Sequence, residues 1–114
     1  MEQADILVLA SPVYFGDISA QLKLCFDRFY SFFTPAFSTR LAPGKQAVMI
    51  FSQGDDKEKS FAELFSRYEP FLKFLGFSTV HQIRLCGGGD RRAARSRPDL
   101  QAQVTTLAST LVRG

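Results

Sequence analysis

The sequence has no tryptophan, a single histidine, two cysteines and only a small excess of positive charge, +3 over 114 residues. No apolar run comes near the ~20 residues that cross a bilayer, so no membrane span is expected. Met1-Glu2-Gln3-Ala4-Asp5 has neither the basic start nor the apolar middle of a secretion signal, which makes a cytoplasmic protein the expectation. Cys25 falls in a helical pattern and Cys86 at a strand end. Their spacing fits no metal-ligand or redox motif, so both read as buried or idle thiols and no metal is implied. His81 lies within a strand pattern and reads as structural. Arg91, Arg92, Arg95 and Arg97 crowd one segment, but no aromatic rings interleave with them as in a nucleic-acid platform. They read as a solvated loop, and no nucleic acid partner is expected.

What is present is apolar and aromatic. Hydrophobic residues make up 46% of the chain and charged residues 22%, the balance of a folded domain rather than a disordered segment. The length fits a single domain over residues 1–114, with one core, in which twelve phenylalanines must find places. Ile6-Leu7-Val8-Leu9-Ala10 is continuous rather than alternating, the pattern of a strand covered on both faces in a parallel sheet, so helices are expected on both sides. Ile18, Leu22, Cys25, Phe26, Phe29, Tyr30 and Phe33 then recur at helical spacing, with Asp17 or Ser19 as the cap.

Thr34 to Gly44 reads as a loop, and Gln46 to Ser52 as a second buried strand closed by Gln53-Gly54-Asp55-Asp56. Phe61, Leu64, Phe65, Tyr68, Leu72 and Leu75 mark a second helix, kinked or split by Pro70 and ended by Gly76. Thr79 to Leu85, with polar residues among apolar ones, suits a strand nearer a sheet edge. Leu100, Val104, Leu107 and Leu111 define a closing helix begun by Ser96 or Pro98. Three βα units with right-handed crossovers give an α/β fold with a parallel sheet. Ligands of such sheets sit outside the carboxyl ends of the strands, where the segments SPVYFG, SQGDD and CGGGD all fall.

The first of these loops holds its own shape, because Pro12 stiffens the exit from the strand and Gly16 admits backbone geometry that other residues resist. Tyr14 and Phe15 are then displayed at the mouth of the sheet, where flat rings suit a planar heterocycle. The whole segment SPVYFGDISAQLKLCFDRFY resembles the NAD(P)H-dependent FMN reductase family, including the multimeric flavodoxins, whose signature runs SPVYxxxxSxxLKxxxDR. Its fixed positions are filled here by Ser11, Pro12, Val13, Tyr14, Ser19, Leu22, Lys23, Asp27 and Arg28. The later pattern Leu41, Gly44, Lys45 before one strand and Leu75, Gly76, Phe77 before the last is similar too.

The resemblance implies a three-layer, flavodoxin-like parallel sheet, five-stranded in the family and represented here by three βα units without the first two strands. It implies that Ser11, Pro12, Val13, Tyr14, Phe15 and Gly16 line the isoalloxazine ring of FMN, with Ser52, Gln53, Gly54 and Asp55 as the neighbouring loop. Lys23, Asp27 and Arg28 would hold the scaffold or an oligomer contact. Flavin chemistry asks little of side chains, so no catalytic acid, base or nucleophile is named, and NAD(P)H is the expected electron donor. The family's phosphate-cradling loop has no counterpart in this stretch, CGGGD lying at the other end of the sheet, so FMN binding would be weakened. An exposed apolar strand edge invites pairing, and a homodimer joined through the first strand is expected. The rival reading is a non-catalytic remnant serving as an oligomerisation or partner-binding module.

Overall fold

The computed structural model describes residues 3–36, 38–54, 57, 60–87 and 97–113. Three parallel strands, β1 (Ile6–Pro12), β2 (Gln46–Ser52) and β3 (Thr79–Leu85), form one sheet in the order β1-β2-β3. The register runs from Ile6 beside Gln46 to Pro12 beside Ser52, and from Gln46 beside Thr79 to Ser52 beside Leu85. Helix α1 (Ala20–Asp27) continues as a 3₁₀ segment over Arg28–Phe32, α2 (Glu63–Leu75) links β2 to β3, and α3 (Pro98–Arg113) closes the described chain.

One face of the sheet carries the core. Leu9 of β1 and Ala47, Met49 and Phe51 of β2 are buried there, under Phe29 and under Leu64, Phe65, Tyr68, Leu72 and Leu75 of α2. The phenylalanines make the seam between the two helical segments. Phe51 stacks on Phe65 at 4.8 Å, Phe26 meets Tyr68 edge-on at 5.1 Å, and Phe33 lies 5.2 Å from Phe74. Edge-to-face and offset pairs of this kind add to what burial alone contributes, which accounts for so many rings in a short chain.

The opposite face corrects the expectation for β1. Ile6 and Val8 are 37% and 55% exposed, so this strand is buried on one side only. β2 lies in the middle of the sheet and keeps Val48 buried, whereas β1 is a rim strand. α3 stands beside β3, with His81 and Thr106 lining the cleft between them, and it leaves Val104 exposed. A continuous apolar run thus reports the residues' preference for cover, and the edge position of the strand decides how much cover it receives.

Three other corrections concern helices. Pro70 sits inside an unbroken α2 rather than splitting it. Both Pro70 and Ser66, whose carbonyl forgoes the missing donor, are exposed, so water can take the vacant bond. Phe61 precedes α2 in a left-handed conformation, φ 61°, instead of opening the helix. Past Asp27 the tighter 3₁₀ turn shifts the side chains relative to an α-helical projection, and Tyr30 emerges 67% exposed. Cys25 is also exposed, while Cys86 is buried. α2 ends as expected, with Gly76 at φ 118°, its amide donating to Lys73 and the amide of Phe77 to Leu72. His81 spends a ring nitrogen on the Gln46 side chain at 3.1 Å, in keeping with a structural role.

Candidate functional site

The carboxyl ends of β1 and β2 carry the candidate site. β1 runs through Pro12, and the amide of Val13 then donates to the Ser52 carbonyl at 2.7 Å, joining the loop after β1 to the end of β2. Tyr14 and Asp17 exchange two backbone hydrogen bonds, Tyr14 N to Asp17 O at 2.8 Å and Asp17 N to Tyr14 O at 3.0 Å. The two residues between them, Phe15 and Gly16, have φ of 49° and 78°. Positive φ at both central positions is the mark of a type I′ turn, where glycine, asparagine or aspartate is usual. Gly16 meets that demand without strain. Phe15 does not, and its ring is fully exposed to solvent, with Tyr14 beside it 60% exposed.

Ser11 anchors the turn from below. It is buried, its hydroxyl donates to the Pro12 carbonyl at 2.7 Å, and its oxygen accepts from the Ser19 amide at 2.8 Å. Ser19 in turn caps α1, accepting from the Leu22 amide at 3.2 Å, so of the two possible caps it is the serine that serves. Asp17 is used differently. Its Oδ1 accepts from the Ile18 amide at 2.7 Å and from the Tyr68 hydroxyl at 2.6 Å, and its Oδ2 lies 3.4 Å from the Arg67 guanidinium. The Tyr68 bond, ahead of the amide and the nearby Arg67 and Lys23 charges, outweighs partial burial and holds the Asp17 carboxyl below the usual carboxylate range.

The structure brings Ser11, Pro12 and Ser52 together on the walls of one shallow cavity, with Tyr14, Phe15 and Gly16 in the adjoining turn. Val13 is half-buried against the core. Gln53 is buried, its amide bonded to the Leu85 carbonyl and its side-chain Nε2 to the Lys57 carbonyl at 2.9 Å, while Gly54 is exposed. Asp55 lies outside the described residues, as do Gly88, Gly89 and Asp90 of CGGGD and Arg91, Arg92, Arg95 and Ser96. The wall is thus aromatic and backbone-rich. Among the described residues the amides of Phe15 and Gly16 have no hydrogen-bond partner. Such a wall can offer flat faces and donor groups to a planar heterocycle.

Sequence reasoning passed over Asp17 as anything but a cap, and with it Tyr68. The signal was a tyrosine on the inward face of an amphipathic helix, whose hydroxyl must find an acceptor when buried. Burial first, and then Asp17, push the Tyr68 hydroxyl up to about 12. The folded protein therefore holds this proton more tightly than the unfolded chain, whose tyrosines titrate near ~10. The stabilisation is complete below that pH and is lost as pH rises through the folded value. An absorbance titration of the native protein should leave one tyrosine un-ionised until about pH 12, and Tyr68→Phe should remove that last step.

A parallel sheet of βα units is the architecture of the doubly wound α/β class, in which the crevice outside the carboxyl ends of the strands is where ligands sit. A profile of the flavodoxin-like fold matches residues 1–107. The chain belongs to the flavodoxin-like family. It is 31% identical over 113 residues to the FMN-dependent NADH:quinone oxidoreductase of Escherichia coli strain K12, which covers 92% of this chain and 56% of the relative. It is 30% identical, with the same coverage, to the protein so described from Shigella flexneri serotype 5b. Among solved structures, the Trp repressor binding protein of Bacillus subtilis superposes with a TM-score of 0.62 at 25% identity, over 88% of this chain and 61% of the other. A structure described as a thermophilic tryptophan halogenase reaches a TM-score of 0.66 at 18% identity, a likeness of fold alone. The chain spans about half the length of the curated relatives it matches, 56%.

The relatives support the resemblance first drawn from Ser11 to Arg28, and the geometry explains why those positions recur in the signature. Its two serines, eight residues apart, are the partners of one buried hydrogen bond. Lys23 and Asp27 form an ion pair on the exposed side of α1. Lys45 donates to the Ala4 carbonyl and, through its own carbonyl, accepts from Ser78, fixing the start of β2 against the start of β3. Among the described residues no helix is long and apolar enough to cross a membrane.

Proposed function

We propose that the turn after β1 and the loop after β2 form the flavin-facing wall of an FMN-associated, flavodoxin-like oxidoreductase of the NAD(P)H-dependent FMN or quinone reductase type. One observation carries the reading. Phe15 holds a φ of 49°, unusual for a residue with a side chain, and presents a wholly exposed ring at the carboxyl end of the sheet. A backbone outlier of this kind, displayed at the ligand edge of the sheet, argues for a partner outside the fold. The described residues fit a flavin ring: aromatic faces from Tyr14 and Phe15, donor amides at Phe15 and Gly16, and the polar side chain of Ser52, with Ser11, Pro12 and Val13 shaping the lip and Gln53 and Gly54 continuing the chain after β2; Asp55, the last of the expected contacts, lies outside the described residues.

When bound, FMN supplies the transfer of hydride or electrons, and the protein positions and shields the ring. The donor is a reduced nicotinamide, in line with the relatives described as FMN-dependent NADH:quinone oxidoreductases. The test is a titration of FMN with the protein. A perturbed flavin absorbance band and quenched fluorescence, followed by flavin-dependent oxidation of NADH or NADPH in the presence of a quinone, support the proposal. A flavin spectrum unchanged at excess protein overturns it.

The free rim of β1 favours a second element of the same reading. Ile6 and Val8 stand exposed on the face away from α1 and α2, and the outer edge of the strand faces no neighbour among the described residues. We propose that this edge meets its own copy across a twofold axis, in antiparallel pairing, giving one sheet continuous through a cytoplasmic homodimer. Light scattering should return twice the chain mass at micromolar concentration, and Val8→Lys should return the monomer. A wild-type monomer counts against the dimer without touching the flavin test. A dimer that leaves FMN unaltered supports the rival reading, an oligomerisation module without catalysis.

A further inference from the structure

The aromatic turn does not hold its posture alone. Three residues converge on it, Phe61 just before α2 and the exposed Arg67 and buried Tyr68 within it. The Phe61 ring lies against Gly16, where an added Cβ would come within 3.7 Å of its edge. The Tyr68 hydroxyl donates to Asp17 Oδ1 at 2.6 Å, and Arg67 lies 3.4 Å from Oδ2. Asp17 is itself one of the two residues whose backbone closes the turn. The ring of Tyr68 packs edge-on against Phe26, a contact that phenylalanine would serve equally; only the hydroxyl reaches Asp17.

We infer that Tyr68 is a positioning residue: by gripping Asp17 from α2, its hydroxyl fixes the strained turn in the posture that presents Tyr14 and Phe15 to a planar ligand. The inference deepens the flavin reading and rests on it for the identity of that ligand. The physical reason is the strain itself. A non-glycine residue at positive φ persists only where its surroundings over-determine it, and among the described residues the side chains from another element that engage the charge of the turn are Tyr68, at 2.6 Å, and the exposed Arg67, at 3.4 Å, the hydroxyl making the shorter bond. The groups facing the Asp17 carboxylate are Tyr68 and Arg67 from α2, Lys23 from α1 and the Ile18 amide. Their joint effect keeps it ionised, and the grip weakens as pH falls through its lowered value.

The experiment compares wild type, Tyr68→Phe and Asp17→Asn by FMN titration across pH and, without ligand, by amide hydrogen exchange. For Tyr68→Phe the FMN dissociation constant should rise about tenfold, as expected for losing one charge-assisted hydrogen bond. The acid limb of its affinity profile should move to higher pH, because the main influence lowering Asp17 is gone. Exchange at the Tyr14 and Asp17 amides should speed up by a similar factor while the β2 amides keep their protection. Asp17→Asn retains an acceptor for the hydroxyl and should bind with no acid limb. Wild-type affinity, pH profile and turn protection in Tyr68→Phe overturn the inference. Absent FMN binding by the wild type defeats the flavin reading instead, and the exchange comparison still decides the role of Tyr68.

Discussion

Phe65→Ala should cost about 3–5 kcal/mol, the range for deleting a buried aromatic ring. Against a total stability of roughly 5–15 kcal/mol for a domain, that is about a fifth at the least, and the thermal midpoint should drop by about 10–20 °C. The ring is 3% exposed, stacks on Phe51 at 4.8 Å, and lies under the Arg84 guanidinium at 4.7 Å from its centre. Its removal opens a void between α2 and the middle of the sheet and takes the apolar floor from beneath a cation. Phe74→Ala is the control. That ring is 60% exposed, although it touches Phe33, and its loss should cost well under half as much. Urea denaturation with an unchanged slope reads both values. Equal losses would show that the aromatic seam is stabilised by ring pairing regardless of burial. Because α2 also carries Tyr68 and Arg67, FMN binding by Phe65→Ala should weaken in step with stability.

The alternation of strand and helix was legible because its signals are local. A continuous apolar run gave β2, and an apolar pattern interrupted by polar residues gave β3, the bounds that the structure has; Gly76 stopped α2, and Pro98 opened α3. The expectation that a ligand would sit at the carboxyl ends of the strands came from the parallel topology rather than from any single residue. What was not legible depends on neighbours. Whether Val8 is covered is settled by the position of β1 in the sheet, which its own composition cannot express. The change from α-helix to 3₁₀ at Arg28 leaves no mark in the spacing of Phe26 and Phe29, so Tyr30 projects inward on a helical wheel and outward in the molecule.

The candidate site shows the same division. Gly16 and Pro12 announce a shaped loop, but the pairing of Tyr14 with Asp17 and the left-handed Phe15 follow only from closure of the turn. The bond from Tyr68 to Asp17 joins residues 51 positions apart, and no periodicity reports a contact between a turn and a helix that returns to it.

Ser11→Val should release this site while leaving most of the fold in place. Valine nearly matches the volume of serine plus one methyl group and suits a strand, yet it removes the acceptor for the Ser19 amide and the donor to the Pro12 carbonyl. Ser19 is buried, so its amide is left without a partner, at a cost of about 1–3 kcal/mol. The consequence reaches α1, because Ser19 is its cap and must keep its place for the Leu22 amide to be satisfied. Circular dichroism should show a small loss of helix, and exchange at the Ser19 and Leu22 amides should rise more than at any β2 amide. FMN affinity should fall even though the Ser11 hydroxyl is directed into the loop, since Tyr14 and Phe15 hang from the segment that Ser11 closes. Ser11→Thr keeps the oxygen and should retain most of both properties. If Ser11→Val binds FMN as wild type does, the lip is held by Asp17 and Tyr68 alone, and the serine pair at eight-residue spacing serves the cap of α1 rather than the ligand edge.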